Sequence, residues 1–233
     1  SNGGGSTGSI SFAENATSAA TTVTSSDEDS DTVTYGISGT DAGDFNINSS
    51  SGALTFKSAP NFEIPDDDGT NNQYIVIITA TDNGTGTLTD TQTLTITVTD
   101  VNEVPTDIAL NSTSVNENES SGTTVGAISS TDVDAGDSHT YTLVSGTGST
   151  DNGSFAIIGS NLFTNATFNF EAKSSYAIRI QTEDSGGLTN KEYFTITIVD
   201  VNDAPVITSN GGGSTGSISF AENATSAATT VTS

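Results

Sequence analysis

Carboxylates in this 233-residue sequence gather where breakers interrupt the β-branched runs. Glu14, Glu63, Asp82 and Asp100, with Asn61 beside them, fall at the ends of runs made of Thr, Val and Ile. Left facing one another without a counter-ion, such groups about 4 Å apart would repel by several kcal/mol at an effective dielectric near 20. A bound cation removes that repulsion. A donor set made only of oxygens, from carboxylates, Asn carbonyls and the main chain, favours calcium over zinc or copper. The charge balance points the same way: Lys+Arg of 4 against Asp+Glu of 29 leaves −25. Such a field attracts cations and repels nucleic acid, anionic lipid and acidic substrates.

Other chemistries have little to work with. Zero Cys removes disulfides, thiolate nucleophiles, cysteine-type zinc sites and iron–sulfur clusters. The single His139 rules out multi-histidine metal sites, and its sequence neighbours Asp137 and Ser138 point to different sides, so no triad forms. His139 reads as a loop residue. Paired carboxylates could serve glycoside hydrolysis, but such sites use aromatic platforms, and here Trp is absent and aromatics are 6%. Gly3-Gly4-Gly5 lacks the Lys and following helix of a phosphate loop and reads as a connector. Asp66-Asp67-Asp68-Gly69, without a counterpart later in the chain, reads as a solvated turn. Sequons such as Asn15, Asn48 and Asn83 are expected from a Ser/Thr/Asn-rich composition alone. No apolar run approaches the ~20 residues that cross a bilayer, and Ser1 to Gly5 does not read as a signal peptide.

The elements that must position the carboxylates are strands. Residues 74–80, 93–98 and 193–198 are rich in β-branched and aromatic side chains, the latter two alternating with period two. Asp82-Asn83-Gly84, Asp184-Ser185-Gly186-Gly187 and Ser50-Ser51-Gly52 punctuate the runs, and no apolar 3.6-residue period persists. An antiparallel all-β sandwich follows, with Phe12, Phe45, Phe62, Phe168 and Phe170 as core in strand-like contexts.

Repetition sets the domain plan. Residues 1–25 recur unchanged as 209–233, which predicts a 208-residue unit followed by the opening of the next, in an internal excerpt of a longer chain. A weaker repeat lies inside the unit. Glu14 pairs with Glu117, Asp27-Glu28-Asp29 with Asp132-Val133-Asp134, and Asn61-Phe62-Glu63 with Asn169-Phe170-Glu171. Asp82 pairs with Asp184, and Asp100-Val101-Asn102-Glu103 with Asp200-Val201-Asn202-Asp203. The expected domains are a connector at 1–8, sandwiches at 9–104 and 105–204, and a connector with the first strands of the next unit at 205–233.

These motifs resemble those of cadherin domains, of the kind found in large bacterial extracellular adhesins and filaments. The x-E-N opening is matched by Ala13-Glu14-Asn15, Asn116-Glu117-Asn118 and Ala221-Glu222-Asn223, and D-x-D by Asp27–Asp29 and Asp132–Asp134. D-x-E appears with Asn for the first Asp, at Asn61 and Asn169, which makes one ligand neutral and implies a weaker outer site. A-x-D is matched by Ala80-Thr81-Asp82 and less well by Thr182-Glu183-Asp184; the D-x-N-D-N linker is matched at Asp100 and Asp200 with its last Asn lost. Five motifs in one order, twice over, make the resemblance specific.

The resemblance implies two tandem antiparallel Greek-key β-sandwiches plus the opening strands of a third. It implies up to three calcium ions at the junction of the two domains, held by Glu14, Asn61, Glu63, Asp100, Asn102 and Glu103 with Asp132, Asp134 and Asp184. Glu117, Asn169, Glu171, Asp200, Asn202 and Asp203 are implied as half of a second junction, and Asp27, Asp29 and Asp82 as facing a preceding unit. The expected function is a calcium-rigidified structural repeat of an extracellular or cell-surface fibre, not an enzyme. Copies of itself joined head to tail are the expected partners, with neither nucleic acid nor membrane insertion. The alternatives are a module pair that binds a cell-surface glycan or protein, and an appendage of a secreted enzyme.

Overall fold

Threonine alternating with aliphatic residues decides which face of each strand is buried. The computed structural model describes residues 6–207. The first half holds β1 (Thr7–Ala13), β2 (Thr21–Thr22), β3 (Thr34–Ser38), β4 (Phe45–Ile47), β5 (Ala53–Phe56), β6 (Gln73–Thr81) and β7 (Thr89–Thr99). They form one sheet in the order β1-β7-β6-β3 and another in the order β2-β5-β4. In β7 the side chains of Leu94, Ile96 and Val98 are buried while the threonines between them are not. Register across to β6 sets Tyr74 opposite Ile96 and Val76 opposite Leu94, so one apolar face is continuous. Phe45 and Leu54 of the other sheet close on it. Aromatic rings fill the middle: Phe56 meets Tyr74 edge-on at 5.1 Å between centroids.

The second half repeats the plan with β8 (Asp107–Leu110), β9 (Ser114–Asn116), β10 (Thr124–Thr131), β11 (Thr140–Leu143), β12 (Phe155–Ile158), β13 (Asn161–Thr164), β14 (Ser175–Glu183) and β15 (Thr189–Val199). The sheets run β12-β13-β10-β8 and β11-β14-β15-β9 over a core that includes Ile108, Phe155, Leu162, Ile178 and Ile196. The leading strand is thus split, its first part on one sheet and its second on the other. By contacts the chain falls into two compact units. The first runs to Asp107 and includes Ser130–Thr140 and Thr182–Asn190, while the second comprises Ile108–Ser129, Tyr141–Gln181 and the residues from Lys191 onward.

Three features differ from expectation. Each half contains one parallel pair, β1 with β7 and β9 with β15. The two strands of each pair are joined through a whole sandwich, a connection long enough for either direction. Phe62 and Phe170 lie in loops and only partly buried, though both pack on the cores. Asp67 is not solvated but 2% exposed. Its carboxylate accepts the N–H groups of Asn71 and Asn72, and Asp68 donates its N–H to the buried Asp41, which also accepts from Ile75. A three-aspartate run thereby becomes a closed turn rather than a hydrated one. The third-domain strands expected within 205–233, and the repeated stretch 209–233, lie outside the described residues, as do residues 1–5 of the connector.

Ile96 is fully buried whereas Ile75, on the opposite face of β6, is 42% exposed. Ile96→Ala is expected to destabilise by about 2–5 kcal/mol and Ile75→Ala by less than about 1 kcal/mol, read as urea midpoints. Equal losses would show that the alternation does not set the core.

Candidate metal centre

The site is built on one buried glutamate. β1 ends at Ala13, and Glu14 next to it is 2% exposed. Its Oε2 accepts the N–H of Phe62 at 2.8 Å and its Oε1 the N–H of Val101 at 2.9 Å. One carboxylate therefore ties together the end of β1, the loop after β5 and the chain leaving β7. Asn15 follows with φ +57, the left-handed region that Asn enters more readily than most residues. The turn sends its N–H to Pro60 O and its Nδ2 to Glu103 Oε1 at 2.6 Å. The x-E-N motif is thus a clamp followed by a left-handed turn.

The second half reproduces the device. Glu117 accepts the N–H groups of Phe170 and Val201, each at 2.9 Å, and Asn118 has φ +61 with Nδ2 donating to Asp203 at 3.1 Å. Those two backbone donors hold the Glu117 carboxyl below its ordinary value, Val201 first and Phe170 next.

Three acidic groups converge among the described residues. Glu14, Glu63, Asp100 and Glu103 each place an oxygen within 4.8 Å of the others, as do Glu117, Glu171 and Asp200, and Asp132, Asp137 and Asp184. The first and third belong to the same compact unit, and the chain from Asp100 to Glu103 links them. Asn102 donates to Asp184 Oδ2 at 3.1 Å, and the Glu103 N–H to Asp134 Oδ2 at 2.8 Å. Gly186 makes room for this, because a Cβ there would overlap the Asn102 amide. His139 in its Nε2–H tautomer donates to Asp132 Oδ2 at 3.0 Å, and Ser185 donates to Asp137.

Several expected residues take other partners. Asn61 and Asn169 use their side-chain oxygens on the N–H groups of Ile64 and Ala172, each at 2.7 Å, as turn caps. Asp27 accepts from Asp29 and Asp31, and Asp82 from Gly84 and Leu88; with Tyr35 and Ile78, Asp27 and Asp82 line an open cleft of the first unit. Asp29 is exposed, and Asn202 donates to Asp203 O. Asp137 escaped the sequence reading. The signal was present, an Asp at the end of Asp132-Val133-Asp134-Ala135-Gly136-Asp137, on a loop that Gly136 turns with φ +93.

The donor chemistry passes a test for a hard cation. Glu63 Oε2, Glu103 Oε2, Asp134 Oδ1 and Asp137 Oδ2 are buried and have no hydrogen-bond partner. Buried polar atoms are nearly always satisfied, and among the described residues the other buried side-chain atom in this state is Asn72 Oδ1. Burial pushes the Glu103 carboxyl up to about 7, reinforced by Glu14, Asp134, Glu63 and Asp100. Burial also raises Asp100, with Asp134 and Glu14 adding to it, and raises Glu63 against the pull of its own backbone N–H. At Asp184 burial pushes upward, but N–H groups led by Leu188 and the Asn102 amide bring the carboxyl below its ordinary value.

A carboxyl held above its ordinary value binds its proton more tightly folded than unfolded. The stability it contributes is present below the unfolded value and lost as pH rises toward about 7 for Glu103. Glu117 and Asp184 act oppositely, their contribution disappearing in acid. In chelator, the melting temperature of the chain is expected to fall between about pH 5 and pH 8, and Glu103→Gln to flatten that decline. A melting temperature that rises over this interval would contradict the crowding of these carboxyls.

Residues 8–99 match the family model for the cadherin domain. No curated protein matches the sequence. Among solved structures, human protocadherin-24 EC1-2 is 24% identical, with TM-score 0.63, covering 82% of this chain and 95% of its own. Mouse cadherin-23 EC22-24 is 21% identical with TM-score 0.63, covering 86% and 66%. Drosophila N-cadherin EC1-4 is 22% identical with TM-score 0.61, covering 83% and 47%. The chain thus spans about half to nearly all of these cadherin fragments. No helix among the described residues is long and apolar enough to cross a membrane. This chain is therefore cadherin-like: residues 8–99 match the cadherin domain, and the described residues share the β-sandwich fold of these cadherin extracellular fragments.

Proposed function

We propose that this chain is a calcium-stiffened structural repeat of an extracellular fibre or bacterial surface adhesin, with copies joined head to tail. The carrying observation is the set of four buried carboxylate oxygens without partners: those of Glu63 and Glu103 in one acidic group of the first unit, that of Asp137 in the other, and that of Asp134, whose second oxygen accepts the Glu103 N–H. Glu63, Asp100, Glu103, Asp134 and Asp137 would hold the ion together with the clamped Glu14 and with Asp132 and Asp184. Calcium supplies the positive charge that lets these oxygens stay ionised and close together. The chain's own residues do the rest. Glu14 fixes the start of the linker, Asn102 and the Glu103 N–H fix its end on Asp184 and Asp134, and Glu63, Asp100 and Glu103 are left with oxygens within 4.8 Å of one another. Glu117, Glu171 and Asp200 form the equivalent start of a second site.

A mechanical role suits this arrangement. An ion that binds only the ordered linker adds its binding free energy to folding and removes the linker's freedom. Millimolar extracellular calcium suffices even for weak modules. The unchanged recurrence of residues 1–25 at 209–233 supports a spacer, which gains from repetition.

Thermal unfolding and small-angle scattering in millimolar calcium and in excess chelator test this reading. At calcium about 100-fold above Kd each site adds about 2.7 kcal/mol, so the melting temperature should rise by several degrees and the particle should become stiffer. The double variant Glu103→Gln/Asp134→Asn is expected to lose most of the rise. Identical melting and scattering with and without calcium would end the calcium reading.

A further inference from the structure

We propose that the outer face of β14 and β15 in the second unit binds a neutral saccharide, with Tyr193 as the ring on which a sugar stacks. This goes beyond the spacer role and does not rest on calcium. Ile178 and Ile180 of β14 and Ile196 and Ile198 of β15 are buried, so the residues that alternate with them point away from the core. The Ile198 N–H bonds to Ser174 O as the Val98 N–H does to Asn72 O, and the register of β6 with β7 carries over to β14 with β15. Arg179 thus stands opposite Tyr193 and Gln181 opposite Lys191. The same places in the first half hold Ile77 opposite Thr93 and Thr79 opposite Thr91. Where the first half has a plain strand surface, the second has a phenol ring and three long side chains that carry N–H donors.

Tyr193 fills no core, being 69% exposed, yet one side of it is braced. A loop of the second half lies on this face: a Cβ at Gly146 would overlap the Arg179 guanidinium, and one at Gly148 would overlap Tyr193 Cβ. Both glycines have positive φ, +139 and +83. Ser149 Oγ donates to Gly146 O and accepts the Gly146 N–H, and Val144 donates its N–H to Arg179 O, so the loop is pinned to itself and to β14. The corresponding connection in the first half is Gly39-Thr40 alone, against residues 144–150 here. The second half has therefore gained the ring, the donors and the brace together, and a braced ring loses little freedom when a ligand covers it. The surroundings select the partner. Gln181, Lys191 and Thr195 flank the ring, so it is not the centre of an apolar patch of the kind a protein interface buries. A pyranose offers an apolar C–H face to the ring and hydroxyls at its rim to the guanidinium and amide. The net charge of −25 repels a polyanion, which leaves a neutral sugar.

Native gel electrophoresis of the whole chain through gels cast with dextran, laminarin, xyloglucan or galactomannan tests this, with alginate as the polyanion. At least one neutral polymer is expected to retard the chain, and alginate is not. Tyr193→Ala is expected to raise the polymer concentration that halves mobility about tenfold or more, while Tyr193→Phe, which keeps the ring face, leaves it nearly unchanged. Gln181→Ala, at the rim of the ring, is expected to weaken retardation without touching the stack, and the melting temperatures of all three variants check that the sandwich still folds. Retardation by none of the neutral polymers, or retardation that survives Tyr193→Ala, overturns the proposal and leaves the calcium reading untouched. Retardation by alginate alone overturns the neutral sugar. A multimer in light scattering that Tyr193→Ala reduces to a single chain assigns the face to a second copy and overturns the saccharide.

Discussion

Everything in the first unit hangs from the Glu14 carboxylate. A charged group so deeply buried is tolerable only if it is solvated by the protein itself, and the N–H groups of Phe62 and Val101 do this. They belong to segments far apart in sequence, so the same two bonds that stabilise the charge bring those segments together. Glu63 rides on the first segment and Asp100 and Glu103 on the second, which is why four acidic side chains meet within 4.8 Å. The crowding is thus a consequence of the clamp, and repulsion between those carboxyls is its cost.

The clamp carboxyl of the second half and the linker carboxyl of the first are driven in opposite directions. Around Glu117 the neighbouring carboxylates are Glu171 and Asp200, both exposed, and backbone donors dominate, so the carboxyl is held low. Around Glu103 the facing groups include Glu14, Glu63, Asp100 and Asp134, and with burial they hold that carboxyl high. The difference lies in what faces the linker. The loops at 132–137 and 184–187 lie in the same compact unit as residues 100–103, and they add both hydrogen bonds and negative charge.

Much of this was legible in the sequence because it is written in period and order. The Thr/aliphatic alternation of residues 93–98 marks a half-buried strand whatever its neighbours, and β7 has that character. Of the paired landmarks, Glu14 and Glu117, Glu63 and Glu171, and Asp100 and Asp200 lie in matching acidic groups, while Asn61, Asn169, Asp27 and Asp82 take other partners. Less visible were features that depend on where a chain goes after it turns. Nothing in Asp66-Asp67-Asp68 signals that the middle carboxylate turns inward to cap Asn71 and Asn72, because that depends on the loop's closure over Asp41. Asp41 and Asp151 both precede a short 3-10 turn and both accept an N–H from the long strand opposite, Ile75 and Ala177. The shared role is hidden because Asp41 takes its second bond from a backbone N–H and Asp151 from Lys173. The parallel pairing of β1 was equally hidden, since alternation fixes a strand's face and not its direction.

The remaining question is what balances the charge. The chain has four basic side chains, Lys57, Lys173, Arg179 and Lys191, against 29 acidic ones. Lys57 is bonded to Gly43 O, Lys173 is paired with Asp151 and stacked over Tyr176, and the Arg179 guanidinium lies against Gly146. These three are committed away from the acidic groups. For Glu63, Asp100, Glu103 and Asp134, two species from solution can supply neutralisation. A proton can, as the upward shift of Glu103 to about 7 records. A proton satisfies one oxygen at a time, whereas carboxylate oxygens that converge as those of Glu14, Glu63, Asp100 and Glu103 do match a divalent ion that takes many oxygen ligands. At the pH of extracellular fluids the second solution gains as the first is lost, because deprotonation that adds repulsion also adds ligand charge. On the proposed calcium reading, the order of the linker would follow the ionic composition of the medium through the side chains that the clamp brings together.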